Sequence, residues 1–474
     1  MKTYQDFLEY REQGHLMDFI VDAITDYRGS SEFKIAQDAD EYEAERNITI
    51  NDYTRWLYNS DGQKVVDSTA ANNKIASNFF HRLTTQRVSY SLGNGISFAG
   101  RKRENVDGEM VNVDATKDAL GNDFDTVLYE AAHNALIHRV CFLMWNLDHA
   151  VYFKATEFCP MFDEYDGTLK AGIRFWSLDW QNRPATVVLY EMDGYTKYRS
   201  KAGTNGISDL EEYEPKRAYK QTIAHNDADP DEIIGESNYS YLPIVPLWGN
   251  KFHQSDLVGM RAKIDAYDLV KSGFANDLED CAEIYWIIGN ALGMTDDDLA
   301  KFRDKLKLQH IAVMDTTESN ITPHQQEIPT AARATLIESL RAQIYDDYGA
   351  LDVTNIGAGA NITATEIRAA YQTMDEEADA FEYQIINAVR GILRIIGIDD
   401  MPVFKRNRVS NDMEQTQMIM LAANYLDNET IIRKLPYITP DEVDGILSRR
   451  EAMEQAFAEL AGAKETEEEE EEEV

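Results

Sequence analysis

Residues 363–397 read TATEIRAAYQTMDEEADAFEYQIINAVRGILRIIG. Ile367, Tyr371, Met374, Ala378, Phe381, Ile385, Ala388, Ile392 and Ile395 recur with strict four-three alternation, which keeps them on one face of a helix. Thr363 and Glu366 supply the S/T-x-x-E pair of a capping box, and Gly397 closes the segment. At ~1.5 Å rise per residue the helix is roughly 50 Å long. That exceeds the ~20 residues at the upper end of ordinary globular helices. A helix of this length predicts an elongated body or an interface between copies.

Upstream, Pro243-Ile244-Val245-Pro246-Leu247-Trp248-Gly249-Asn250 reads as an extended segment set by two prolines. Ser255 follows as an N-cap, with Asp256 in the first turn. A second heptad helix, about 40 Å long by the same rise, then runs to about Cys281. Its seam is Leu257, Met260, Ile264, Tyr267, Phe274, Leu278 and Cys281, broken only by Lys271. Residues 282–328 form a small unit: a β-like run 284–288, a short helix 295–308, then β-like runs 311–314 and 321–328. Pro329 opens another helix through Leu336, Ile337, Leu340 and Ile344, ending near Gly349. A glycine-rich loop, 351–362, leads into the long helix.

Nearer the N-terminus, residues 1–29 read as one helix and 68–90 as another, the latter stopped by Gly93-Asn94-Gly95. A further helix begins near Asp123. Residues 139–200 change to short apolar runs separated by Asp166-Gly167 and Asp193-Gly194, which predicts hairpins of an antiparallel sheet. Residues 201–240 are polar and read as loop and edge structure. Downstream, 401–409 is a strand candidate, and 412–460 reads as three short helices broken at Asp427-Asn428 and Leu435-Pro436. The fold class is therefore α+β, mainly helical.

The 474 residues carry a formal charge of -38. The glutamate run at 464–474 accounts for only -7 of it, and its composition predicts a disordered end. A body this acidic does not grip nucleic acid by counterion release, although it can surround one without adhering. Three scattered cysteines, Cys141, Cys159 and Cys281, predict no disulfide framework and a reducing compartment. The charged N-terminus is not a signal peptide, and no apolar run reaches the ~20 residues of a membrane span, so an intracellular site of synthesis and use is expected.

Motifs of catalysis are missing. There is no G-x-x-x-x-G-K-[ST] loop, and Gly357-Ala358-Gly359 lacks the third glycine of a dinucleotide fingerprint. His133 and His138 stand five apart, off one helical face. Asp227, Asp229 and Asp231 begin like a calcium loop, but Glu232 and Asn238 occupy the positions of its glycine and glutamate. No enzyme, metal or cofactor is expected.

The order of these parts resembles the portal proteins of tailed bacteriophages, in the class found in phages of Gram-positive hosts. The resemblance covers most of 70–450. It is carried by Asn73-Lys74-Ile75, Tyr90, Gly93-Asn94-Gly95, Pro243 to Pro246, Asn250, Ser255-Asp256-Leu257, Asp265-Ala266-Tyr267-Asp268 and the glycine-rich loop before the long helix. Trp248-Gly249 and the glutamate tail depart from it. The resemblance implies a portal fold with long helices around a central channel. It implies a wing at 1–242, stem helices at 243–281 and 329–349, and a clip at 282–328. It also implies a tunnel loop at 350–362, a long wing helix and strand at 363–410, a crown at 411–460 and the tail at 461–474. Asp352, Asn355, Ile356, Gly357, Gly359 and Asn361 would face DNA. Leu257, Met260, Ile264, Tyr267, Lys271, Phe274 and Leu278 would wall the channel and pack subunits. Trp286, Asp296, Asp297, Lys301, Arg303 and Lys305 would form the docking surface of the clip. The implied partners are a ring of twelve copies, the terminase large subunit, the head-tail adaptor, major capsid and scaffolding proteins, and double-stranded DNA without sequence preference. No membrane is implied, and the place is the virion, after assembly in the host cytoplasm. An acidic DNA mimic or chaperone-like protein is the competing reading of the charge.

Overall fold

The computed structural model describes residues 2–58, 61–67, 70–106, 109–176, 185–201, 207, 209–226, 229–280, 285–288, 295, 297–298, 301, 321–324, 329–352, 364–407, 412–435, 438, 443, 445–450 and 453. Helical residues exceed strand residues among these. The chain forms two compact units: residues 1–40, 81–258 and 345–474, and residues 41–80 with 259–344.

In the first unit the strand Val140–Asn146 lies between Ile244–Trp248 and His149–Lys154 in a three-stranded sheet. Val140 to Trp145 are all buried, so both faces of this strand are covered. That is why its sequence is a continuous apolar run and not an alternation. The helices Phe124–His138 and Ala364–Ile396 pack on it, and their apolar residues share its core. The extended segment at 243–250 is thus the strand Ile244–Trp248, paired Ile244↔Met144 to Trp248↔Val140. A Cβ at Gly391 would stand 2.6 Å from Val245 Cγ1, so only glycine lets the long helix approach this strand.

A second, five-stranded antiparallel sheet runs in the order Leu210–Arg217, Gly194–Ser200, Thr186–Glu191, Leu169–Trp176, Phe158–Phe162. The expected hairpins of 139–200 are therefore split between two sheets. The N-terminal segment is two helices, Tyr4–Glu12 and Leu16–Gly29, not one. Gly14, at φ 75°, takes the left-handed conformation that ends the first. Folding the helices back on each other brings Phe7, Phe19, Ile20 and Ile24 together with Ile173 and Leu189 of the sheet.

Residues 201–240, read as loop and edge structure, contain the expected edge and a hairpin besides. Leu210–Arg217 is an edge strand of the sheet, and Lys220–Asn226 pairs with Asp229–Ser237 as a hairpin. The edge strand is mostly exposed and correspondingly polar, so it carries no apolar signal. Asp229 and Asp231 sit in the strand Asp229–Ser237, and Asp227 lies outside the described residues. Of the 401–409 candidate, Pro402–Phe404 is strand, paired with Ile96–Phe98. Beyond it come the helices Asp412–Ala422 and Asn428–Lys434, the second capped by Asp427 as the break there predicts. The glutamate tail lies outside the described residues.

In the second unit, Trp56–Tyr58 pairs with Lys64–Val66, and Tyr285–Ile288 pairs antiparallel with Ile321–His324. The remainder of the 282–328 region, including most of its expected helix, is outside the described residues. The helix expected over 68–90 begins only at Phe79 and runs to Leu92. Residues 70–78 form neither helix nor strand.

Candidate functional site

The helix Leu257–Asp280 does not bury the seam that its sequence predicts. Leu257, Met260, Ile264 and Tyr267 are buried. Beyond Tyr267 the buried positions are Asp268, Ser272 and Asn276, while Lys271 and Phe274 are half-buried and Leu278 is 52% exposed. The C-terminal half therefore turns a polar stripe with i, i+4 spacing inward. The stripe satisfies the irregular segment 70–78: Asn73 N–H donates to Asn276 Oδ1 at 2.5 Å and Ile75 N–H to Ser272 Oγ at 3.0 Å. The Asn73 side chain also donates to Glu279 at 2.8 Å. A backbone held by side chains in this way has no need of helix to pair its buried groups, which is why 70–78 escapes the helical periodicity around it.

The same helix binds the residues following 41. Asp265 accepts from Tyr42 Oη at 2.5 Å and Thr49 Oγ1 at 2.7 Å, and Asn47 Nδ2 donates to Asp268 Oδ2 at 2.5 Å. Burial raises the pKa of Asp268, an effect offset in part by its bonds from Asn47 and Ser77.

A separate polar network lies in the first unit, around the end of the helix Thr330–Tyr348. Arg87 Nη1 lies 3.1 Å from Asp256 Oδ2, and Nη2 lies 3.3 Å from Glu377 and donates to the Tyr348 carbonyl at 2.6 Å. The guanidinium stands 4.0 Å from the centre of the Tyr348 ring. Tyr348 Oη donates to Asp256 at 2.7 Å, and burial pushes its pKa well above the ordinary value, so the phenol remains a donor. Asp256 is itself held by Asn250 Nδ2 at 3.0 Å, while Asn250 Oδ1 accepts from Phe252 and Gln254 N–H. The expected N-cap at Ser255 is present: its Oγ accepts Leu257 N–H at 3.2 Å.

One turn along, Tyr90 stacks on Tyr371 at 5.8 Å and donates to Asp375 at 2.5 Å. Arg406 pairs with Asp375 at 3.0 Å, Glu382 at 2.9 Å and also Asp379. The hydrogen bonds that Arg406 donates to Glu382 and Asp379 raise its pKa against its partial burial. Asn94 reaches the Lys405 carbonyl at 3.0 Å, and Gly95 has φ 68° with Asp125 Oδ2 2.4 Å from where a Cβ would stand.

In the sequence Asn73, Tyr90, Asn250, Asp265 and Asp268 are motif residues without a physical role, and Asp256 is a first-turn acid only. The structure gives each a hydrogen bond in one of these networks. Their partners Arg87, Tyr348 and Arg406 were missed. An arginine inside an otherwise apolar helical spacing was the one available signal for Arg87.

The remaining expected site residues are distributed as follows. Asp352 is half-buried, whereas Asn355, Ile356, Gly357, Gly359 and Asn361 lie outside the described residues. Trp286 lies in a strand opposite Pro323. Asp297 and Lys301 are exposed, and Asp296, Arg303 and Lys305 lie outside the described residues. His138 bonds to Asp40 at 2.7 Å and His133 to Thr84 at 3.3 Å, so the two do not make a pair of ligands. Cys141 and Cys159 are buried free thiols, the latter with its pKa pushed up by burial to about 12. Among the described residues no helix is long and apolar enough to cross a membrane.

By sequence the chain is similar to curated phage portal proteins. A portal protein of Clostridium phage phiCD119 is 28% identical over 229 residues, 45% of this chain and 49% of that protein, so the match spans about half of the relative's length. The portal protein of Bacillus phage SPP1 is 23% identical over 434 residues, 86% of this chain and 81% of that protein. The neck of a native GTA particle, in a structure computed with C12 symmetry, aligns at TM-score 0.39 and 12% identity over 76% of this chain and 89% of that one. The neck of an empty GTA particle, computed with C6 symmetry, aligns at 0.40 and 10% over 75% and 88%. The family model described as phage portal protein, SPP1 Gp6-like, matches residues 33–472, nearly the whole chain, and the chain therefore belongs to that family.

Proposed function

We propose that the chain is one subunit of a ring at a single vertex of a phage capsid, the channel through which double-stranded DNA enters during packaging and leaves at ejection. The family match over 33–472 carries this reading. In it the ring has twelve copies and docks the terminase large subunit and later the head-tail adaptor, within a shell of major capsid and scaffolding proteins. The work is structural, and no residue is assigned a catalytic role.

The parts follow the order of the chain. The sheets and helices of 1–242 form the wing. Leu257–Asp280 and Thr330–Tyr348 form the stem. Residues 282–328 form the clip, 350–362 the tunnel loop, Ala364–Ile396 the long wing helix, and 411–460 the crown. Support comes from exposed apolar residues on the stem helices, Leu278 at 52% and Leu336 at 46%, which a neighbouring subunit would cover. From Asp346 to Ile367 there are four carboxylates and no Lys or Arg. Without cations there is no counterion-release term, so this surface would let a duplex slide without holding it.

Electron microscopy of the purified full chain tests the reading. Rings with a central hole are expected. Small oligomers without one would instead favour an acidic DNA mimic or chaperone. Purified rings should also fail to bind duplex DNA tightly at physiological salt, and tight binding would sink the low-adhesion channel.

A further inference from the structure

We propose that Gln86, Arg87 and Tyr90 are positioning residues: one face of the helix Phe79–Leu92 holds both chain segments that flank the tunnel loop, and so sets where that loop stands in the channel. The inference rests on the reading of 350–362 as the DNA-facing loop.

The incoming segment is held at two successive points. Arg87 Nη2 donates to the carbonyl of Tyr348, the last residue of its helix, where a cation also meets the negative end of the helix dipole. Gly349 then turns the chain with φ 69°. Two residues on, Gln86 makes a reciprocal pair with the backbone of Leu351: Nε2 donates to its carbonyl at 3.0 Å, and its N–H donates to Gln86 Oε1 at 3.0 Å. A side-chain amide here does what a neighbouring strand does, fixing the position and the orientation of one peptide unit.

The outgoing segment is held by Tyr90, i+4 from Gln86 and so on the same helical face. It stacks on Tyr371 and donates to Asp375, while Tyr90, Tyr371, Met374 and Ala378 form an apolar cluster against which Leu351 packs. Leu351 and Tyr371 thus meet one helix from opposite ends of the intervening chain. Anchors on a rigid helix fix the chain on both sides of the loop, as a binding loop requires of its scaffold. Their joint role follows from the geometry.

The test uses variant chains to complement a portal-defective phage, with three readouts: ring formation, amide hydrogen exchange at Leu351 in assembled rings, and DNA packaged per particle. Gln86→Ala removes both bonds to Leu351. We expect intact rings, exchange at Leu351 faster by about tenfold or more, and a loss of packaged DNA. Tyr90→Phe keeps the stacking and removes only the bond to Asp375, so its packaging defect is expected to be smaller. Gly357→Val with Gly359→Val stiffens the loop itself and is expected to form rings that do not package. If the loop variant is blocked while Gln86→Ala and Tyr90→Phe package normally, the positioning role is wrong. If the loop variant packages normally, the DNA-facing reading of 350–362 fails first and takes the inference with it. Should Gln86→Ala prevent ring assembly, Tyr90→Phe carries the test by the same criterion, and unchanged packaging in its rings overturns the proposal.

Discussion

The helices Leu257–Asp280 and Ala364–Ile396 have sequences of the same kind, apolar residues in alternating threes and fours, and they use them differently. The second buries Tyr371, Met374, Ala378, Phe381, Ile385, Ala388, Ile392 and Ile395, its full described seam, within its own subunit. The first buries its seam only as far as Tyr267. From there Asp268, Ser272 and Asn276 turn inward, and Leu278 is left at the surface. Heptad spacing says that a face will be buried. It does not say whether the cover comes from the same chain, nor that the apolar face is the one covered throughout. A polar stripe can win where an adjacent segment has unpaired backbone groups to satisfy, because an orphaned buried N–H costs more than an exposed leucine.

The comparison can be broken at its strongest point first. Phe381→Ala removes a ring from the dry core of the long helix, and should cost about 3–5 kcal/mol. A urea titration that shows less than about 1 kcal/mol would mean that this seam is not the core of the subunit.

Next in size is the contrast within the first helix. Asn276→Ala leaves the half-buried Asn73 N–H without its partner and should cost about 1–1.5 kcal/mol. Leu278→Ala, two residues on and by sequence the seam residue, should change subunit stability by less than about 0.5 kcal/mol. The second variant should instead weaken ring assembly, measured as the protein concentration at which rings dissociate. Equal destabilisation of the subunit by both would restore the simple heptad.

The smallest effect concerns Asp268. Its pKa is raised by burial above the ordinary 3.8, so the folded form prefers the proton. Stability linked to this group is complete below pH 3.8 and is lost as pH rises through the raised value. Asp268→Asn removes that loss. Asn47 Oδ1, which has no partner among the described residues, can accept from the new amide. The variant should match or exceed wild type at pH 7 by about 1 kcal/mol, with the advantage shrinking as pH falls towards 4. A variant less stable than wild type at pH 7 would show that the carboxylate is needed in its charged form.

Several readings failed for a shared reason. The helix expected over 68–90 lost its first half because the groups that satisfy residues 73 and 75 lie some 200 positions away in sequence, at |i−j| 203 and 197. Within 201–240 the hairpin of Lys220–Asn226 with Asp229–Ser237 was not told apart from loop, because its residues are mostly polar and show no apolar alternation. One N-terminal helix became two at Gly14, where the need for a left-handed residue is visible only once the fold-back is known.

What the sequence determined alone was what depends on near neighbours along the chain. This includes the long helix, the extended segment at 243–250, the break at Asp427, the Ser255 cap and the order of parts that places the chain among phage portal proteins. Each rests on spacing of a few residues, the range over which helical and strand periods act. The tertiary structure alone decided which polar residues inside those elements are paired, and with what. Arg87 meets Asp256, Tyr348 and Glu377, and Asn73 meets Asn276, across gaps that no local period spans. A desolvated charge or amide needs a partner at hydrogen-bond distance, and that partner is chosen by packing.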